Sequence, residues 1–113
     1  MILGVVGSRE FNNYILLKES LDALDISKII SGGARGADSL AVDYAKENAI
    51  PYYEYLANYN KYGSPAALFK RNVEIVEASD MIVAFWDGIS KGTLHTIKYA
   101  RARNKEVIII TND

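Results

Sequence analysis

Short apolar runs rich in Val and Ile alternate with segments of helical period along the whole chain, and this alternation constrains the fold more than any other feature. Strands are expected at residues 2–6, 28–31, 52–56, 81–85 and 106–110. Most of these runs are apolar at every position, as strands covered by helices on two sides should be. Between them, Tyr14, Leu17, Leu21 and Leu24 recur at helical spacing, and so do Ala37, Leu40, Tyr44 and Ala45. A third helix is expected to begin at Ser64-Pro65, serine as N-cap and proline in the first turn, with Phe69, Val73 and Val76 on its buried face. A fourth starts near Thr93 and buries Leu94, Ile97 and Ala100. Five strands joined by helices, under the right-handed crossover rule, give an α/β fold: a doubly wound parallel sheet with helices on both faces.

The 113 residues, 1–113, are expected to form a single domain, since a second core would not fit in that length. Half the residues are hydrophobic and 24% are charged, the balance of a soluble globular protein. The longest apolar runs fall far short of the ~18 residues that a membrane span needs. The start of the chain reads as a first strand rather than a signal peptide. There is no cysteine, which excludes disulfides and thiolate metal sites and suits a cytoplasmic location. A formal net charge of −1 weighs against a protein that holds nucleic acid mainly through its phosphates. Eight tyrosines on a thin core suggest aromatic surface that a second copy would cover, so a homodimer is expected.

In doubly wound sheets, ligands sit beyond the carboxyl ends of the strands, where the strand order reverses. That rule selects four loops, and the second of them reads SGGARGAD. Gly32, Gly33 and Gly36 can adopt positive φ and let an anion reach the backbone, with the N-terminus of the following helix adding its dipole. Arg35 could add a bidentate contact, and Asp38 could hold the loop or meet a ribose hydroxyl. The competing reading is a tight turn with Arg35 in water. The loop matches neither the P-loop nor the G-x-G-x-x-G pattern, which disfavours a dehydrogenase.

Gly7, Ser8 and Arg9 end the first strand beside the same crevice, Arg9 being either a second anion contact or an ordinary surface arginine. Gly92 and Thr93 open the last helix, and Thr93 could cap it or offer its hydroxyl to phosphate. Trp86 could stack on a base or simply pack. His95, the only histidine, reads as a surface residue, and no metal site is expected. Of the crowded tyrosines from Tyr52 to Tyr62, one could cover a ligand.

The ordered set GSREF, SGGARGADSLA, Tyr62-Gly63, Arg71-Asn72, ASD and KGT resembles the SLOG superfamily, in particular its small stand-alone YspA/YpsA-like proteins, over residues 3–110. The resemblance implies a Rossmann-like fold and a crevice for a nucleotide-derived ligand. Relatives include DprA, which handles single-stranded DNA, and the LOG phosphoribohydrolases. By position it implies ligand contacts at Gly7, Ser8, Arg9, Gly32, Gly33, Arg35, Gly36, Asp38, Gly92 and Thr93, with Arg71 and Asn72 either facing the crevice or lying on an exposed helix face. LOG enzymes carry P-G-G-x-G-T-x-x-E. Here the glutamate position holds Thr96, so the resemblance implies binding without that hydrolysis.

The expected function is therefore recognition of a nucleotide or nucleotide-derived small molecule, of ADP-ribose type or a cyclic nucleotide, by a sensor subunit or scavenger that needs no cofactor. An enzyme acting at a glycosidic or phosphate bond, with Asp38, Asp87 or Glu10 as acid or base, is the alternative. A DprA-like single-stranded DNA binder comes third.

Overall fold

A computed structural model describes residues 1–111. In chain order its elements are β1 (Ile2–Gly7), α1 (Tyr14–Asp22), β2 (Lys28–Ser31), α2 (Ala37–Glu47), β3 (Tyr52–Glu54), α3 (Tyr59–Tyr62), α4 (Ala66–Ala78), β4 (Met81–Phe85), α5 (Lys91–Ala102) and β5 (Glu106–Ile110). The strands form one parallel sheet in the order β3-β2-β1-β4-β5. The chain winds outward from β1 through β2 to β3, then crosses back to β4 and β5. The direction reverses between β1 and β4, and the crevice of a doubly wound sheet opens there.

Alternate residues of each inner strand face opposite layers, and each layer has its own core. Leu3 and Val5 of β1, Ile29 of β2 and Val83 and Phe85 of β4 pack against Leu17 and Leu21 of α1 and Ala41 and Ala45 of α2. Val6, Ile30, Ile82 and Ala84 pack on the other side against Ile75 and Val76 of α4 and Ile97 and Ala100 of α5. An apolar residue at every position is what a strand covered on both faces requires.

Three expectations are corrected. The third strand ends at Glu54 and its residues are exposed, because β3 is an edge with only β2 beside it. Ser64 does not cap α4: Pro65, joined to it by a cis peptide bond, holds the N-cap position, and the helix begins at Ala66. The buried face of α4 carries Ala67, Arg71, Asn72, Ile75 and Val76, while Phe69 is exposed and Val73 half-buried. A polar pair has taken helix positions that apolar periodicity would assign to the core.

The third loop also holds a helical turn, α3, that periodicity did not predict, started by the Asn58 side chain accepting from the Lys61 N–H at 3.1 Å. Four residues are too few to show a helical repeat. Helix α5 begins at Lys91 with Ser90 as N-cap, so Thr93 lies inside the first turn rather than capping it.

Candidate functional site

Where β1 and β4 end side by side, a cavity of about 420 Å³ opens toward solvent. Its size falls within the ~300–1,000 Å³ usual for small-molecule sites. Ser8 ties its floor together: the backbone N–H donates to the Phe85 carbonyl at 3.0 Å, and the hydroxyl accepts from the Asp87 N–H at 3.2 Å. The Asp87 carboxylate in turn accepts from the Ile89 and Ser90 N–H groups, both at 2.8 Å, and these bonds hold its pKa below the ordinary carboxylate value. Asp87 is thereby committed to shaping the loop into α5.

Arg71 and Asn72 build the opposite wall from α4, and both are buried. The Arg71 guanidinium donates through Nη1 to the Gly32 carbonyl and through Nε to Asn72 Oδ1 at 3.0 Å. Asn72 Nδ2 donates to the Gly92 carbonyl at 3.3 Å. Two adjacent residues of one helix thus brace the glycine loop after β2 against the start of α5. Burying a guanidinium is costly unless its donors are used, so the polar face of α4 belongs to the crevice.

Asp38, in the first turn of α2, is 6% exposed and lines the same cavity. Its carboxylate accepts from the Ala34 N–H at 3.2 Å. Burial pushes its pKa up to about 6, while the Arg71 charge and the Ala34 hydrogen bond pull the other way. Among the carboxylates weighed as acid or base, only this one is buried in the cavity. Glu10 is exposed and pairs with Arg35 at 2.6 Å.

The glycines of SGGARGAD make room chiefly for the protein itself. A Cβ on Gly36, whose φ is +77°, would meet the carbonyl oxygens of Ser8 and Arg9. One on Gly32 would meet the Arg71 guanidinium and the Asp38 carboxylate, and one on Gly7 would meet Ala37 and the Phe85 carbonyl. The Ala37 N–H at the start of α2 already donates to the Ser8 carbonyl at 3.3 Å. Neighbouring chain therefore occupies much of the space that the sequence reading offered to an anion. The start of α5 differs: no side chain caps it, and Ser90, Gly92 and Thr93 line the cavity. Thr93 shares a hydrogen bond with the Ser90 hydroxyl at 3.2 Å. Thr96, at the position of the LOG glutamate, spends its hydroxyl on the Gly92 carbonyl at 3.2 Å.

Gly7, Ser8, Arg9, Asp38, Arg71, Asn72, Gly92 and Thr93 thus meet at one cavity. Gly32, Gly33 and Arg35 line a second, of about 440 Å³, beyond β2 and β3. Gly36 lines neither. Trp86 is set apart: its indole N–H donates to the Ser90 carbonyl at 3.0 Å, and its ring borders a third hollow of about 250 Å³ with Phe11 and Phe85. His95 is half-buried rather than on the surface. It lies against the Phe69 ring at 4.4 Å, its Nδ1 lacks a partner among the described residues, and burial lowers its pKa.

Leu56, which lines the second cavity, and Ser90, which lines the first, were missed, while Tyr59, among the crowded tyrosines of which one was expected to cover a ligand, lines the second cavity. The D-x-x-S spacing from Asp87 to Ser90, an aspartate positioned to hold a turn ahead of a helix, was the available signal for Ser90. Among the described residues no three His, Cys, Asp or Glu gather as a metal site, and no helix is long and apolar enough to cross a membrane.

Sheet order and crevice define a Rossmann-like α/β protein with its cavity at the topological switch point. The model of the YspA, cpYpsA-related SLOG family matches residues 1–62, more than half of the 113, and the chain belongs to that family. The matched part contains SGGARGAD and ends before Arg71. Among solved structures, DNA processing protein A (DprA) from Streptococcus pneumoniae superposes with a TM-score of 0.81 at 20% identity, over 98% of this chain and 50% of that one. The chain thus spans about half the length of DprA, and at this identity the likeness shows the fold alone. No curated protein matches the chain.

Proposed function

We propose that this chain binds a nucleotide or nucleotide-derived small molecule in the crevice between the ends of β1 and β4, as a sensor subunit or scavenger. The observation that carries this reading is the pair of guanidinium groups at one cavity. Arg9 is exposed and makes no side-chain hydrogen bond or ion pair among the described residues, and Arg71 is held in place by α4. Phosphate is the anion that such a pair suits, and the uncapped start of α5 adds donors of the same sense. Hydroxyls and the Asp38 carboxylate nearby suit a sugar.

Ligand at 100 times its dissociation constant adds about 2.7 kcal/mol of stability, a melting shift of roughly 10 °C for a domain of this size. A panel of mononucleotides, dinucleotides, cyclic nucleotides and ADP-ribose species checks this by thermal shift. No shift at millimolar concentration refutes the reading. The name of DprA, DNA processing protein A, motivates one further arm, and single-stranded DNA shifting the transition in place of every nucleotide would replace this function with nucleic-acid binding. Chromatography of the bound nucleotide after hours of incubation should return it intact, since Thr96 cannot ionise where a LOG enzyme has its glutamate. Release of free base would make the protein an enzyme.

A further inference from the structure

The third hollow, of about 250 Å³, has Phe11, Phe85, Trp86, Asp87 and Thr111 in its lining. It shares Ser8, Glu10 and Asp87 with the crevice, but neither Arg9 nor Arg71 lines it. Its chemistry is the opposite of the crevice's. Phe11 and Phe85, 7% and 1% exposed, pack with ring centroids 4.9 Å apart and are fixed by the core around them. Two carboxylates, Glu10 and Asp87, complete the lining, and no Lys, Arg or His joins them. Glu10 already pairs with Arg35. Asp87 forms no ion pair among the described residues: the Ile89 and Ser90 N–H groups both donate to its Oδ1, and these uncharged donors favour its ionised form.

Aromatic side chains beside an uncompensated negative charge select among ligands. Asp87 repels an anion. A hydrated metal ion needs more oxygen donors than two carboxylates supply, and no three His, Cys, Asp or Glu gather there among the described residues. A neutral apolar molecule would take carboxylate surface out of water and offer no charge in return. An organic ammonium ion meets both demands: aromatic rings attract it electrostatically as well as by contact, and its charge answers Asp87. The volume, below the ~300–1,000 Å³ of sites for drug-sized ligands, restricts the ion to a small one.

We infer that this hollow is a second ligand site, for a small quaternary ammonium ion held between the Phe11 and Phe85 side chains and the Asp87 carboxylate. The inference does not depend on what the crevice binds, since the arginines that carry the nucleotide reading take no part in it.

Trp86, the chain's only tryptophan, lines the hollow, so its fluorescence reports occupancy. Titration with choline chloride is compared with 3,3-dimethylbutan-1-ol, the uncharged compound of the same shape, and with sodium chloride at equal ionic strength. Choline should give a saturable change and bind at least about tenfold more tightly than the alcohol, and sodium chloride should give none. Asp87→Asn, at an exposed position, keeps an amide oxygen for the two N–H groups and removes the charge; it should weaken choline by about fivefold and leave the alcohol within about twofold of wild type. Glu10→Gln, also exposed, should weaken choline less than Asp87→Asn does, because Arg35 already balances Glu10. Phe11→Leu keeps the apolar lining and removes a ring, and should weaken choline more than the alcohol. Equal affinity for choline and the alcohol overturns the inference, and so does a preference for choline that survives unchanged in both Asp87→Asn and Phe11→Leu. The absence of any saturable change at ~10 mM choline overturns it as well.

Discussion

Gly36→Ala tests whether the glycines of the SGGARGAD loop serve the protein's own packing. Gly36 adopts φ 77° and ψ −130°, and Gly63, in the turn after α3, adopts φ 72° and ψ 178°. Both conformations are costly for alanine, by about 1–3 kcal/mol each. Their surroundings differ. A Cβ on Gly63 has nothing within 4 Å, whereas one on Gly36 would overlap the carbonyl oxygens of Ser8 and Arg9. Those are backbone atoms and cannot rotate aside, and the Ser8 carbonyl already accepts from the Phe11 and Ala37 N–H groups. Forcing them apart adds about 1–3 kcal/mol of overpacking. Gly36→Ala should therefore cost about 4 kcal/mol and Gly63→Ala about 2, out of a total near 5–15 for such a domain. With an m-value of ~2 kcal/mol/M in urea, the two midpoints should differ by about 1 M. Equilibrium unfolding with coincident midpoints for the two variants would refute the packing account and return the loop's glycines to the ligand.

Asp38 sets a pH dependence: its pKa rises from 3.8 to about 6 on folding, so stability is greatest below pH 4 as far as this group is concerned and falls as pH rises through 6, by up to about 3 kcal/mol. Urea midpoints between pH 4 and 7 should show that decline in wild type and lose it in Asp38→Asn; parallel profiles would exclude the assignment. Arg71→Met leaves the Gly32 carbonyl and Asn72 Oδ1 without their donor and should lower stability by about 3 kcal/mol in the same assay, whereas a loss under ~1 would deny the guanidinium its bracing role. Arg35→Ala, which breaks an exposed pair with Glu10, should change stability by less than ~0.5 kcal/mol and nucleotide affinity less than Arg9→Ala does, because Arg35 already has a counter-charge; equal affinity losses in titration would contradict this.

The inner strands were legible because a doubly covered strand needs apolar residues at consecutive positions, and residues 28–31 and 81–85 end where the sequence reading ended them, as does the half-buried edge strand at 106–110. β3 was overextended because Tyr55 and Leu56 share the composition of a strand but lie past the edge that β2 offers. Arg71 and Asn72 were open at sequence level between crevice and solvent, since a buried arginine and an exposed one look alike until its acceptors are known. Here those acceptors include a carbonyl 39 residues away in sequence. The glycines were located correctly as a place of close approach, yet what approaches is the β1 loop, a long-range contact that local spacing does not encode. Leu56 of the second cavity was missed for a related reason: it reaches Arg9 and Arg71 only after β3 docks beside β2.

The position of β1 at the centre of the sheet bears on the order in which the molecule assembles. One flank of β1 pairs with β2, close in sequence, but the other needs β4, and its first residue is held by the side chain of Asp80, 78 positions on. Non-local pairings of this kind slow folding, and the seam between β1 and β4 is the one that closes the longest loop. A chain that has assembled only β1, β2 and β3 carries Arg9 without Arg71 and presents no crevice. If that seam closes after the main barrier, a nucleotide has nothing to grip on the way up, and its whole effect falls on the return path. The unfolding arm of a chevron would then drop with ligand concentration while the folding arm stayed where it was.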